Sequence, residues 1–380
     1  MKTNRMCAII GNEHEYADLL PLTAERPLST LYFDCKYRIL DFVLSSVANA
    51  NIRSVFMIVN EGRIKSIFDH LGGGREWGLD SIGSYQYISF YQDFVHKKAQ
   101  GQPCFGDIIQ FLKTSKSPYT VYLTNKFICN LDLQAVLKIH QEQNNEITAV
   151  FKRMPADKIA PDDQILKLKD SSQIADVATY RDVKIKKETY NLSLGAFIMK
   201  TSWLIDSLEN SQSLSLEEFL FNKLKHAKNS TYEYTGYVSN VYDIPSYYQA
   251  NMDMLNIENY NSLLFSSQKV ITRTKNEVAT YFSSESDVKN SQVATGCRIE
   301  GTVANSLISR RTLIAQKAKV EQAVIMGSSR VSEKAKVKYA IIDKNVKIDP
   351  RVEIIGSPDN LVIVKKNSHV TESVYGGKKK

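Results

Sequence analysis

Val121-Tyr122-Leu123-Thr124-Asn125-Lys126 reads as a buried strand that stops abruptly in polar residues. A continuous apolar run of this length fits a strand covered on both faces, as in a parallel sheet flanked by helices. In open sheets of that kind, ligands sit beyond the carboxyl ends of the strands. Here that position holds an amide and a cation, Asn125 and Lys126. Working outward, further strand-like runs cover residues 6–11, 53–60, 120–124, 146–153 and 195–200. Between them Ile39, Leu40, Val43, Val47 and Ala48 recur at helical spacing, as do Leu131, Leu133, Val136 and Ile139. Strands alternating with helices imply βαβ units and a mostly parallel sheet over residues 1–258.

Residues 259–292 are rich in Ser, Asn and Lys and hold no sustained period, so they read as a connector. From residue 293 to 380 the pattern changes. Apolar or small residues pair six apart: Cys297/Val303, Ile314/Val320, Val331/Val337 and Val346/Val352. The pairs recur after 17, 17 and 15 residues. A six-residue step inside a coil of about eighteen marks a β-helix of hexapeptide repeats. A solenoid of this kind has open coil ends and flat faces, which favour docking to the sheet domain or to another subunit.

The chain has 380 residues, enough for two domains, with ordinary hydrophobic (43%) and charged (24%) fractions. Cys7, Cys35, Cys104, Cys129 and Cys297 are scattered, odd in number and never in a CxxC pair. That suits free thiols in a reducing compartment and argues against a zinc site. Met1 to Arg5 lead into a strand-like run without a secretory h-region, and no 18-residue apolar stretch exists. The expectation is a cytoplasmic protein with no membrane association. The net charge of +8 invites a nucleic-acid reading, but Lys and Arg are interleaved with Asp and Glu. The one dense run, Lys378-Lys379-Lys380, reads as a solvated tail, so no nucleic-acid partner is expected. Gly72-Gly73-Gly74 lacks the lysine and spacing of a P-loop and reads as a turn.

Leu20-Pro21-Leu22-Thr23, Arg26 and Phe33-Asp34-Cys35-Lys36-Tyr37-Arg38-Ile39-Leu40-Asp41-Phe42 resemble the N-terminal region of ADP-glucose pyrophosphorylases. Leu44-Ser45, Asn49 and Ile52 continue the likeness, as do His70-Leu71-Gly72 and Trp77-Gly78-Leu79-Asp80. Val241, Tyr247, Ala250-Asn251 and Asp253 resemble the end of that family's sugar-nucleotide domain. The resemblance spans nearly the whole chain. It implies a dinucleotide-binding-like nucleotidyltransferase domain, then a left-handed β-helix, assembled as a tetramer. The implied reaction joins ATP and glucose 1-phosphate into ADP-glucose and pyrophosphate for glycogen synthesis. Catalysis there is positioning plus charge neutralisation.

The site residues of that family are missing here. Where the resemblance places a glycine-rich phosphate loop, this chain has Glu13-His14-Glu15-Tyr16-Ala17-Asp18-Leu19, with Asp18 at the position of an arginine. Acidic side chains without glycines cannot cradle phosphates. The family's two metal carboxylates fall on Asn125-Lys126 and Ser239-Asn240. Two unit charges about 4 Å apart interact by about 4 kcal/mol at an effective dielectric of 20, so a lysine beside a divalent ion turns attraction into repulsion. Lys126 instead attracts a phosphate directly in one reading. The family's sugar-phosphate lysine falls near Thr179-Tyr180-Arg181, where Arg181 or Lys184 is the substitute. The base-contacting segment, near Cys104-Phe105-Gly106-Asp107, differs in most positions.

The resemblance with its lost charges implies a regulatory, non-catalytic subunit. It has no catalytic residue, no metal and no cofactor, the degenerate positions being Asp18, Asn125, Lys126 and Asn240. Its partner is a catalytic ADP-glucose pyrophosphorylase subunit in a hetero-tetramer. Lys36, Arg38, Lys126 and Arg181 are the candidates for holding a sugar-phosphate effector. For Lys36 and Arg38 the competing reading is ion pairing with Asp34 and Asp41. The alternative function is an active nucleotidyltransferase with unusual ligands, for which Asp132 or Asp243 supplies the carboxylate. A hexapeptide acyltransferase needs a histidine on the coils, and residues 293–356 contain none.

Overall fold

The computed structural model describes residues 5–12, 14–81, 83–170, 172–209, 211 and 213–376. Glu13 of the acidic loop and the Lys378-Lys379-Lys380 tail lie outside the described residues. One sheet organises the first domain. Its strands are β1 (Met6–Asn12), β2 (Ser54–Val59), β3 (Tyr85–Phe90), β4 (Tyr119–Thr124), β5 (Ile147–Pro155), β6 (Gln164–Leu168), β7 (Ile174–Thr179), β8 (Thr189–Lys200) and β9 (Asn229–Glu233). The main path runs β7-β6-β8-β4-β1-β2-β3, with β5 paired to β8 and β9. The β4-β1-β2-β3 stretch is parallel throughout, and β9 is parallel to β5. Val121, Tyr122 and Leu123 of β4 are buried on both faces, which is why that run is apolar without alternation.

Strands β3, β6, β7 and β9 have no counterpart among the runs read from the sequence. Each is short and half-exposed, with polar residues on the open face, so no continuous apolar run announces it. Strand β8 begins six residues earlier than the apolar run suggests. Its ladder to β5 shifts register between Ser193 and Ala196, and Gly195 in between has φ +57°. A Cβ at Gly195 would lie 2.4 Å from Thr124 Cγ2 and 2.7 Å from Glu217 Oε1. Gly195→Ala therefore meets a left-handed backbone and a closed space together. The expected result is a loss of about 1–3 kcal/mol in a denaturation midpoint experiment. An unchanged midpoint would show that the bulge relaxes freely.

The helix Ile39–Asn49 packs its apolar stripe into the domain core and starts at Arg38, whose backbone N–H donates to Asp41 Oδ2 at 2.9 Å. Residues 257–264 form a further helix, Ile257–Leu264. The second domain is a parallel β-helix of the hexapeptide kind, consistent with the left-handed form. Its ladder begins with Tyr281 paired to Arg298, inside the stretch read as connector, so the irregular segment is confined to residues 265–280.

The hexapeptide residues are buried as expected, and the pairs Ile314/Val320 and Val331/Val337 stand in the observed columns, whereas Cys297, Val346 and Val352 do not. Ile299, Ile314, Val331 and Ile348 stack in one column, and Val303, Val320, Val337 and Ile354 in the next. Cys297, Val346 and Val352 belong to the corners preceding these strands, and those corners are also buried. At those three places a buried corner residue lies two positions before the stacked strand residue, Ile299, Ile348 or Ile354, and reads as the inward position in its stead.

The domains share a core. Phe33, Phe42 and Tyr247 of the first pack in one cluster with Leu307, Val324 and Ile341 of the β-helix. Burying side chains of this size contributes about 1.5–3 kcal/mol each. Within that joint, Arg26 forms an ion pair with Asp343, with side chains 8% and 2% exposed.

Candidate functional site

Strands β1 and β4 end side by side, Gly11 opposite Thr124, and Asn125 N–H donates to Gly11 O at 3.1 Å. The chain emerging from β4 thus puts Lys126 at the sheet's carboxyl edge, its side chain 4% exposed. The ammonium forms an ion pair with Asp163, lies 3.6 Å from Asp162 and sits 5.0 Å above the Tyr16 ring. Asn240 reaches the same carboxylate from the other side, donating to Asp163 Oδ2 at 2.6 Å. Ala160 N–H donates to that oxygen at 2.7 Å. Burial holds the Asp163 carboxyl above its ordinary range, and the neighbouring Lys126 offsets only part of that rise.

Positions 126 and 240, which the resemblance equates with two metal carboxylates, therefore converge on a third residue that supplies the negative charge. Asp163 was missed in the sequence. Its signal is the doubled Asp162-Asp163 directly before β6. A divalent ion asks for free carboxylate oxygens. Lys126 and Asn240 offer an ammonium and an amide N–H, and Asp163 is already engaged by three donors. These residues do not fit Mg²⁺. Among the described residues, no group of three or more His, Cys, Asp and Glu is placed to hold a metal. Asn125 is buried with neither side-chain polar atom hydrogen-bonded.

The two carboxylates weighed as replacement ligands are used elsewhere. Asp132 caps the helix Leu133–Glu142, accepting from Gln134 and Ala135 N–H. Asp243 caps Ile244–Met252, accepting from Ser246 N–H at 2.7 Å. Both are local helix signals rather than site residues.

The acidic loop is tied down over this edge. His14 Nε2 lies 2.7 Å from Glu217 Oε2, and Tyr16 O–H donates to Asp162 at 3.1 Å. Burial, then Asp162 and Asp163, pushes the Tyr16 phenol far up. Glu15 lies 3.5 Å from Arg63. Asp18 is exposed. The cavity beside the bridge, 360 Å³, is lined by His14, Lys126, Asp162, Asp163, Glu217 and Glu218 among others. Lys126 is therefore a neutralised internal cation, not a free phosphate anchor. Arg181 is exposed and lies outside this lining, two residues past Thr179, which belongs to it.

Lys36 and Arg38 lie elsewhere, at the joint between the domains. They line a cleft with Arg273, Lys275, Arg310 and Lys344, continuous through Lys36, Arg273, Lys275 and Arg310 with a 680 Å³ cavity. The expected ion pairs to Asp34 and Asp41 are not what the structure contains. Asp41 is occupied by the Arg38 backbone N–H, by His70 and by Thr272 O–H at 2.6 Å. The Arg38 guanidinium instead donates to Ser66 O at 3.1 Å and lies 5.0 Å over the Tyr32 ring. Glu277 lies 3.5 Å from Arg310 and from Arg311, one carboxylate between two guanidinium groups. The field of the cleft shows in its neighbours. Burial alone raises the Tyr32 phenol, yet Arg38, Lys344, Arg26 and Lys275 together bring it below the usual range. Burial, with the repulsion of Arg38, Arg310 and Lys344, lowers Lys275.

Comparison with known proteins agrees with this architecture. The nucleotidyl transferase family matches residues 17–160, and the GlmU-like, C-terminal hexapeptide family matches residues 277–374. The chain is 29% identical over 371 residues to the glycogen biosynthesis protein GlgD of Bacillus subtilis, covering 96% of this chain and 97% of that one. It is 26% identical to GlgD of Geobacillus stearothermophilus, covering 83% of each chain. The glucose-1-phosphate adenylyltransferase of Clostridioides difficile is 26% identical, over 77% of this chain and 78% of its own. Among the described residues, no helix is long and apolar enough to cross a membrane.

Proposed function

We propose that this glycogen-biosynthesis protein, related to the glucose-1-phosphate adenylyltransferases, is a regulatory subunit without catalytic activity of its own. It acts in the cytoplasm by assembling with a catalytic adenylyltransferase chain, most simply as a hetero-tetramer. The observation that carries this reading is the Lys126–Asp163–Asn240 cluster. It satisfies internally the charges that a metal and a triphosphate would otherwise occupy. The tethered loop at His14 and Tyr16 closes the same edge, where a phosphate cradle needs free backbone N–H groups.

Regulation then means that this subunit binds one conformation of its catalytic partner better than another, and shifts the population accordingly. The basic cleft at Lys36 and Arg38 is the place for a sugar-phosphate effector, because it lies where the two domains meet. An anion there changes the electrostatic cost of closing that joint. Calorimetric titration at low salt with glucose 6-phosphate and with fructose 1,6-bisphosphate tests this part. A charge-assisted hydrogen bond is worth about 1.5–3 kcal/mol, so Arg38→Ala should weaken binding by about ten-fold or more. Raised salt should weaken it further. Equal affinity in the variant would remove Arg38 from the effector site.

A further inference from the structure

Glu277 sits where an anion would. It comes from the end of the irregular segment 265–280 and lines the inner part of the basic cleft. Seven Lys and Arg side chains line that part, and among the described residues lining it Glu277 is the only carboxylate. Its two oxygens face different guanidinium groups, Oε2 toward Arg310 and Oε1 toward Arg311. Guanidinium groups suit carboxylate and phosphate alike, so a phosphate group and Glu277 compete for the same two side chains. The space left in this part is 50 Å³, room for a few waters at about 10–15 Å³ each.

The carboxylate is held loosely. Both ion pairs are 3.5 Å long, beyond the roughly 2.7–3.2 Å of a hydrogen bond. The hydrogen bond it does accept comes from Thr295 O–H, at 3.0 Å to Oε2. The backbone beside it is fixed separately, Gly296 N–H donating to Val278 O at 2.8 Å and Tyr281 N–H to Cys297 O at 2.9 Å. Gly296 has φ +76°, and a Cβ there would lie 3.4 Å from Glu277 Cβ and 3.1 Å from Arg311 Cγ. The glycine thus leaves room for both side chains. Thr295, which holds the carboxylate, lines the adjoining 680 Å³ cavity, so space to receive a displaced Glu277 side chain lies beside it. The side chain can rotate away without the chain moving.

We propose, taking the basic cleft as an anion site, that Glu277 is an internal competitor for that site: its carboxylate occupies Arg310 and Arg311, and an incoming phosphate group displaces it. Glu277 then sets both the affinity and the selectivity of the cleft. A singly charged anion does not offset the loss of both ion pairs. A phosphate group does, because it brings close to two negative charges and three acceptor oxygens to the same pair of arginines.

Calorimetric titration of the full chain with orthophosphate at low salt, for the unmodified protein, Glu277→Gln and Glu277→Ala, tests the proposal. Both variants should bind orthophosphate about ten-fold more tightly, because an opposing charge is gone and two arginines are released. Adding Arg310→Gln to Glu277→Gln should abolish the gain. A disturbed fold weakens binding, so a gain separates competition from a merely structural ion pair. Fluorescence-detected unfolding confirms that the variants are folded. Unchanged or weaker binding by both variants, with the unmodified protein still binding, would overturn the competitor role and leave the cleft an anion site. A gain that survives Arg310→Gln would overturn it as well. No binding by the unmodified protein or either variant would remove the anion site itself, and the proposal with it.

Discussion

Arg26→Ala is expected to lower stability by about 3–5 kcal/mol, the usual cost of removing one partner from a buried ion pair. Arg26 and Asp343 come from different domains, and both side chains are almost fully covered. The Arg26 Nε–H also donates to Leu22 O at 2.9 Å, which holds the guanidinium in place. Without it, Asp343 keeps a backbone hydrogen bond from Lys344 but loses its countercharge. The penalty arises from the stranded carboxylate more than from the lost attraction. Arg26→Met combined with Asp343→Leu should therefore be much less harmful than either single change. Urea unfolding of the three variants checks this. A double variant as weak as the worse single one would mean that the pair itself, and not the stranded charge, sets the cost. The change should also loosen the joint, because the pair sits where Phe33 and Tyr247 meet Leu307 and Ile341.

Lys126→Met should have a cost of the same order, about 3–5 kcal/mol. It leaves Asp163 buried with two N–H donors, from Asn240 and Ala160, and no cation within the bridge. Asp162 would still lie beside it, adding like-charge repulsion. By contrast, Lys138→Met removes the exposed pair with Glu142 and should change stability little. Denaturant midpoints of the two variants, measured side by side, separate a structural bridge from an ordinary surface lysine. If Lys126→Met were as mild as Lys138→Met, the bridge would not hold the strand end together. Neither Lys126→Met nor Lys126→Asp should create adenylyl transfer. The first supplies no carboxylate, and the second sets two carboxylates against each other while the loop still lacks glycine.

The apolar run at Val121–Leu123 and the hexapeptide spacing were enough to place a sheet domain before a β-helix, because both patterns follow directly from burial. Half-exposed strands such as Tyr85–Phe90 and the Gln164–Leu168 and Ile174–Thr179 pair left no comparable trace. Their open faces carry polar residues, and their pairing is long-range. The ladder's start at Tyr281 was hidden for a similar reason. The first coil is open to solvent, with Tyr281 and Phe282 half exposed, so its apolar period is broken. At the site, loss of the expected carboxylates was legible from Asn125, Lys126 and Asn240. Where the charge went was not. Asp163 lies 37 residues from Lys126 and 77 from Asn240, and only the fold brings the three together. Lys36 and Arg38 were picked out in the sequence, but the basic residues joining them come from the connector and the β-helix.

The central claim is that the strand tip cannot perform adenylyl transfer and that the chain acts through assembly. ADP-glucose synthesis from ATP, glucose 1-phosphate and Mg²⁺ should be measured for this protein alone, for a catalytic relative alone and for the two mixed. The account predicts no turnover by the isolated chain, and a changed rate or effector response in the mixture. Turnover by the isolated chain, or a mixture that behaves as the sum of its parts, would contradict it.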